Sequence, residues 1–162
     1  MLEKKDRIRV RDAAGSDVQR LSEIAWAAKA HWGYPRRWLE IWRPQLTVLP
    51  EHIRDNPFRL AETDAGILGF YGLSRAEEKM ILEHLWVDPK AMGGGIGRLL
   101  FEDAKNHCAQ CGYACLEIDS DPHAEGFYRR MGAEKVGERH SLLEGRPRIL
   151  PILLAATSAA SA

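Results

Sequence analysis

Apolar residues recur along this chain with two different periods, and each change of period marks a change of predicted element. Ile8 and Val10 alternate with Arg7, Arg9 and Arg11, the pattern of a short strand with one wet face. Ser16-Asp17-Val18-Gln19 then reads as a capping box, with Val18, Leu21, Ala25 and Ala28 as the buried stripe of a first helix that Gly33 ends. Pro35 suits the first position of a second, short helix, in which Trp38 and Trp42 lie one turn apart and Pro44 closes the element. Pro50 opens a further helical turn ending near Asn56-Pro57.

Beyond that point the period drops to two. Phe58 to Glu62, the turn Asp64-Ala65-Gly66 and Ile67 to Leu73 read as a hairpin, in which Gly69 and Gly72 mark bulges or a close backbone approach. Met80, Leu82, Leu85 and Val87 give the next strand, and Asp88-Pro89 stops it because proline has no amide hydrogen for a ladder. Gly93, Gly94, Gly95 and Gly97 follow, in the first turn of a helix whose stripe is Ile96, Leu100, Ala104, Cys108 and Cys111. Gly112 ends that helix, and Ala114 to Asp119 form a strand with Leu116 and Ile118 on one face. Asp121 caps another helix, with Pro122 at its first position and Gly132 at its end. Val136 starts a penultimate strand and Ile149 to Leu154 read as the last. From Ala155 the residues are small with little to bury, so one domain over 1–156 and a flexible tail at 157–162 are expected.

Composition narrows the function. A chain of 162 residues, 45% of them hydrophobic, suits one domain around a single core. Lys plus Arg equals Asp plus Glu at 23 each, so no global charge favours nucleic acid or an anionic membrane as partner. The charged start Met1-Leu2-Glu3-Lys4-Lys5-Asp6-Arg7 lacks a signal peptide's apolar run, and no later stretch is long enough to span a bilayer, so a cytoplasmic protein is expected. Cys108, Cys111 and Cys115 are odd in number; Cys108-x-x-Cys111 beside His107 admits a metal or redox reading, but zinc needs four ligands. Reduced, buried thiols and no metal are expected.

The chemistry centres on the glycines. A helix start presents unpaired amide hydrogens and the positive end of the macrodipole, and glycine lacks the Cβ that would keep a phosphate away. A P-loop would need Gly-Lys-Ser/Thr, whereas Gly97 leads to Arg98-Leu99. A dinucleotide fingerprint would need Gly-x-Gly-x-x-Gly, but Gly93-x-Gly95 leads to Arg98 and Gly95-x-Gly97 to Leu100. Glu117 sits at the distance of a ribose ligand, yet Asp88 to Met92 separate strand and glycines too widely for the Rossmann turn.

Leu85-Trp86-Val87-Asp88-Pro89 followed by Met92-Gly93-Gly94-Gly95-Ile96-Gly97 resembles the acetyl-CoA-binding motif of the GNAT superfamily of N-acetyltransferases, Arg/Gln-x-x-Gly-x-Gly/Ala. Gly95 and Gly97 match it, and Met92 stands where the family prefers Arg or Gln. A second stretch, Asp121-Pro122-His123-Ala124 with Phe127-Tyr128-Arg129-Arg130-Met131-Gly132, is similar to the family's motif around a catalytic tyrosine, with Asp121 in place of the usual Asn. The resemblance implies a mixed α/β, mostly antiparallel sheet splayed at its middle. It implies acetyl-CoA as cosubstrate, held by Leu85, Trp86 and Val87 and by Met92, Gly93, Gly94, Gly95, Ile96, Gly97 and Arg98.

Acetyl transfer from a thioester to an amine needs a neutral amine, donors for the developing oxyanion, and a proton for the leaving thiolate. By resemblance Tyr128 supplies that proton, and backbone amides near Val87 polarise the carbonyl. Glu83 is the candidate base because alternation puts it on the face of Ile81 and Leu85, whereas His84 faces the other way and reads as structural. Asp119 and Asp121 are less favoured, the second serving better as a cap. Trp32, Tyr34 and Trp38 either form an acceptor wall, as the corresponding region often does in the family, or pack as a lid on the core. The expected acceptor is a small-molecule or peptide amine attacking directly in a ternary complex, and a homodimer is compatible with this reading. The rival reading is a non-catalytic acyl-CoA-binding regulatory module, against which Tyr128 argues.

Overall fold

The computed structural model describes residues 7–161. Met1 to Asp6 and Ala162, which carry part of the expected charged start and tail, lie outside the described residues. The elements run β1 (Arg9–Asp12), α1 (Val18–His31), α2 (Arg36–Leu46), α3 (Pro50–Asp55), β2 (Phe58–Thr63), β3 (Gly66–Arg75), β4 (Met80–Val87), α4 (Ile96–Gln110), β5 (Cys115–Asp119), α5 (Glu125–Arg130), β6 (Glu134–Leu143) and β7 (Arg146–Ala156). The strands form one seven-stranded sheet in the order β1-β2-β3-β4-β5-β7-β6. The β4–β5 pair is parallel, and β1–β2, β2–β3, β5–β7 and β6–β7 are antiparallel. The chain is therefore mixed α/β with a mostly antiparallel sheet.

Its contacts divide it into two compact units, one holding the chain up to Leu73 with His84–Phe101, the other Ser74–Glu83 with Glu102 onward. In the first unit, Leu21, Ile24 and Ala25 of α1 are buried with Leu60, Phe70, Tyr71, Leu73 and Leu100. Arg11 ties β1 to β2 and to the turn before α1, donating to Asp17 Oδ2 at 2.9 Å and to Glu62 Oε1 at 2.8 Å. Asp17, not Ser16, closes that turn, accepting from the Ala14 amide at 2.8 Å. The carboxylate competes better than the hydroxyl because its other oxygen is already held by Arg11. Ile8 lies outside β1 and is exposed, so the strand begins two residues later than the alternation from Arg7 predicts. Pro35 is the residue before α2 rather than its first, and Pro44 lies inside the helix, which continues to Leu46. A proline in the last turn removes only one amide hydrogen there, and Thr47 Oγ1 donates to the Arg43 carbonyl to finish the end.

In the second unit, Met80, Leu82, Ala104, Cys108, Leu116, Ile118, Leu153 and Ala155 are buried. Ala155 and Ala156 belong to β7, and the Thr157 amide and hydroxyl donate to Ala114 O and Tyr113 O at 3.0 and 2.6 Å, so the chain stays fixed past the expected end of the last strand. Both final strands are longer than the apolar pattern predicts. They meet at Glu144-Gly145, whose φ values of 52° and 75° form a left-handed turn suited to a hairpin. Val136 is a residue at the register shift between Lys135 and Gly137 and is exposed, which is why its side chain is a poor marker of the strand start. Cys111 lies beyond α4 and is exposed, Cys115 is half-buried, and Cys108 is buried, so only one of the three thiols is a core residue. Among the described residues no helix is long and apolar enough to cross a membrane.

Candidate active site

Strand β4 leads into the site. It pairs with β5 from Met80↔Leu116 to Leu82↔Ile118, and β4 itself continues to Val87 while β5 ends at Asp119. Gly69 of β3 allows the neighbouring backbone of β4 to come close, since a Cβ there would stand 2.7 Å from the Trp86 carbonyl oxygen. The Asp88 amide then donates to Leu68 O at 2.8 Å. Asp88 also caps a short 3-10 turn, accepting from the Lys90 amide, while its other oxygen accepts from Arg20 of α1 at 2.6 Å. The route into the glycines is thereby fixed at three points within the first unit.

Met92, Gly93, Gly94 and Gly95 precede α4 instead of forming its first turn, and Gly97 is the only glycine within it. Gly93 and Gly95 take φ of +83° and +82°, and a Cβ on either would meet no protein atom within 4 Å. Gly95 O accepts from the Leu99 amide, so Gly95 sits at the cap position and the amides of Ile96, Gly97 and Arg98 begin a helix of 15 residues. Left-handed glycines opening onto free space before first-turn amides suit a diphosphate, which fits coenzyme A. Among the described residues no group of three or more His, Cys, Asp or Glu is arranged to hold a metal ion.

His84 has a more particular environment than alternation alone suggests. Its ring lies 5.7 Å from those of both Phe58 and Phe70, and the Trp86 indole N–H donates to its Nδ1 at 3.1 Å. Burial first, and repulsion from His52 second, push its pKa down to about 4. Neutral His84 with Nδ1 accepting carries its proton on Nε2. The indole of Trp86 is therefore engaged with His84, while its carbonyl faces β3.

The second unit holds Glu83, Tyr128, Asp119 and Asp121. Glu83 is exposed, and its Oε1 accepts from the Ser74 hydroxyl at 2.6 Å. Tyr128 of α5 is buried; burial and then the charge of Asp121 push its phenol above the ordinary tyrosine range, so it stays protonated at every physiological pH. Asp121 caps the turn before α5, accepting from the His123 amide at 2.8 Å, with His123 Nδ1 at 3.0 Å and Arg148 Nη2 at 3.6 Å. Asp119 ends β5; its Oδ2 accepts from Arg139 Nε at 2.5 Å, while Oδ1 is buried without a donor. Such an orphaned oxygen costs about 1–3 kcal/mol. Sequence reasoning ranked Asp119 low. The parallel register places Glu83 and Asp119 one step beyond the last β4–β5 pair.

The aromatic segment splits by role. Trp42 is buried, with the Lys29 ammonium 4.5 Å from its ring, and belongs to the core. Trp38 packs against Tyr34 and Trp42 at 5.9 and 6.1 Å, with its indole nitrogen buried and without a partner. Trp32 is exposed and lies edge-on to His31 at 5.9 Å. Of the three expected acceptor residues, Tyr34 and Trp38 stand together in one cluster, and Trp32 lies edge-on to His31.

A family model described as an acetyltransferase (GNAT) domain matches residues 35–141. No curated protein matches the chain. Among solved structures, the GCN5-related N-acetyltransferase of Rhodopseudomonas palustris aligns with TM-score 0.77 and 15% identity, over 96% of this chain and 98% of that one. PaiA N-acetyltransferase of Thermoplasma acidophilum, solved in complex with coenzyme A, aligns with TM-score 0.74 and 21% identity, over 93% and 99%. The ribosomal-protein-S18-alanine N-acetyltransferase of Escherichia coli aligns with TM-score 0.69 and 18% identity, over 94% and 95%. At these identities the likeness is one of fold.

Proposed function

Because residues 35–141 match its model, the chain belongs to the GNAT acetyltransferase family, and from that premise we propose that it moves the acetyl group of acetyl-CoA onto a primary amine by direct attack in a ternary complex. The observation that supports this most is the start of α4, where Gly93 and Gly95 in left-handed conformation open onto free space before the first-turn amides. Those amides and Arg98 would hold the diphosphate, and the backbone of Leu85 to Val87, free of β5, would pair with the pantetheine arm. Met92 supplies no charged contact where the family's Arg or Gln would, so backbone amides carry the recognition.

Bound acetyl-CoA supplies the activated acyl carbon; the chain's own residues handle the protons. Glu83, exposed and with one oxygen held by Ser74, takes a proton from the amine through water. Tyr128, kept protonated by burial and by Asp121, gives its proton to the departing thiolate. Tyr34 and Trp38 form part of the acceptor wall. The family match crosses both units, which supports one catalytic domain. Three free cysteines support a reducing, cytoplasmic location. A screen of amines with acetyl-CoA, following thiol release and the mass of the acetylated product, tests the proposal. Coenzyme A binding with no transfer to any amine would favour the non-catalytic module.

A further inference from the structure

We infer that the groove between α1 and α2 is a second binding site, one that takes a monocarboxylate with an apolar tail; it stands independently of the acetyl-transfer reading. The groove encloses about 560 Å³, and all its lining residues lie in the first unit. That volume falls within the ~300–1,000 Å³ of small-molecule sites. Neither the glycine cradle nor the Tyr34 and Trp38 cluster lines it. Its floor is apolar, with Leu46 and Val48 buried there and Val18 half-buried. The Ser22 hydroxyl is already spent, donating to Val18 O at 2.8 Å and accepting from the Val48 amide at 2.9 Å. Thr47 Oγ1 likewise donates to Arg43 O at 2.7 Å. With both hydroxyl protons committed, a ligand body resting on this floor gains by burying apolar surface rather than by hydrogen bonding.

Positive charge supplies the other half of the site. Arg36 and Arg43 lie two turns apart on α2, and both line the groove. The Arg43 Cζ stands 4.2 Å from the centroid of the Trp26 ring, and its Nε and Nη2 each donate to Glu40 at 2.9 Å. Stacked on the ring and bonded along that edge, the guanidinium is fixed in orientation, while its Nη1 hydrogens have no acceptor among the described residues. Arg36 comes only to 3.8 Å from the same carboxylate, beyond hydrogen-bond distance, on a side chain that is 83% exposed. Two guanidinium groups therefore share one carboxylate, and a second carboxylate can accept from Arg43 Nη1 and from Arg36 together. Glu23 also lines the groove, but Arg20 at 3.5 Å and the Gln19 amide at 3.5 Å already meet it. The groove thus joins charged N–H donors to an apolar floor, the complement of a fatty-acid-like anion.

The test titrates octanoate, octan-1-ol and octylamine into the full-length protein by calorimetry, with and without saturating coenzyme A. Octanoate should bind saturably and equally well in both conditions, and about tenfold or more tightly than the alcohol or the amine, the effect of a charge-assisted contact that only the anion makes. Arg43→Gln and Arg36→Gln should each weaken octanoate about tenfold and leave coenzyme A affinity unchanged. No saturable octanoate binding, octanol or octylamine binding as tightly as octanoate, or wild-type octanoate affinity in both variants would overturn the site. Loss of octanoate binding in the presence of coenzyme A would also overturn it, by moving the anion to the glycine cradle. Should Arg43→Gln fail to fold, Arg36→Gln decides alone, because its side chain is mostly exposed. Acetyl transfer stands or falls separately, on the amine screen.

Discussion

At the scale of single residues, His84 shows how neighbours rewrite a side chain's chemistry. Wedged between Phe58 and Phe70 with its Nδ1 taken by Trp86, it stays neutral down to about pH 4 instead of titrating near 6.5. Its depressed pKa means that the unfolded chain binds the proton first, so this contribution is fully present above pH 6.5 and is lost as the pH falls toward 4. The most it can contribute is ~3 kcal/mol. Denaturant midpoints measured across that window should fall steeply for the wild type and less steeply for His84→Gln. Parallel slopes would contradict the assignment. Alternation reads His84 as structural, but the rings around it come from β2 and β3 and its repelling partner His52 from α3. Neighbours that distant in sequence leave no local pattern to read.

Two elements carry the specific expectations. At the start of α4, Gly95 has φ of +82° and caps the helix. Gly95→Glu places an anion before the first-turn amides and forces a non-glycine residue into the left-handed region, at a strain of roughly 1 kcal/mol. The variant should remain folded by circular dichroism and lose measurable coenzyme A binding in calorimetry; retained affinity would remove the cradle from the account. On α2, Trp38 stands with Tyr34 on a face that also touches the core residue Trp42. Trp38→Ala should raise the acceptor KM more than the acetyl-CoA KM, whereas equal changes in both would assign the ring to packing. The glycine run and the helix stripe made α4 legible, except that Gly93, Gly94 and Gly95 precede the helix instead of forming its first turn and Cys111 continues the period past its end. The β6–β7 hairpin was half legible, because β6 is polar on most of both faces and offers little alternation; its turn residues Glu144-Gly145 were the better signal.

For the whole molecule, the order of elements was readable because every boundary but one, the polar Ala76 to Lys79 between β3 and β4, carries Gly, Pro or Asp at a turn, and the two motifs identified the family independently of the fold. The division into two units was not, since it cuts through β3, β4 and α4 and depends on contacts rather than on breaks in composition. The account's central claim is that this chain catalyses acetyl transfer with Tyr128 as the proton donor, and Tyr128→Phe tests it most directly, since it removes one hydroxyl from a buried ring and almost no volume. Initial rates of thiol release from acetyl-CoA, with an acceptor identified in the amine screen, should fall by ~10²-fold or more in the variant, while the acetyl-CoA dissociation constant stays unchanged. A Phe variant that turns over at the wild-type rate would contradict the claim.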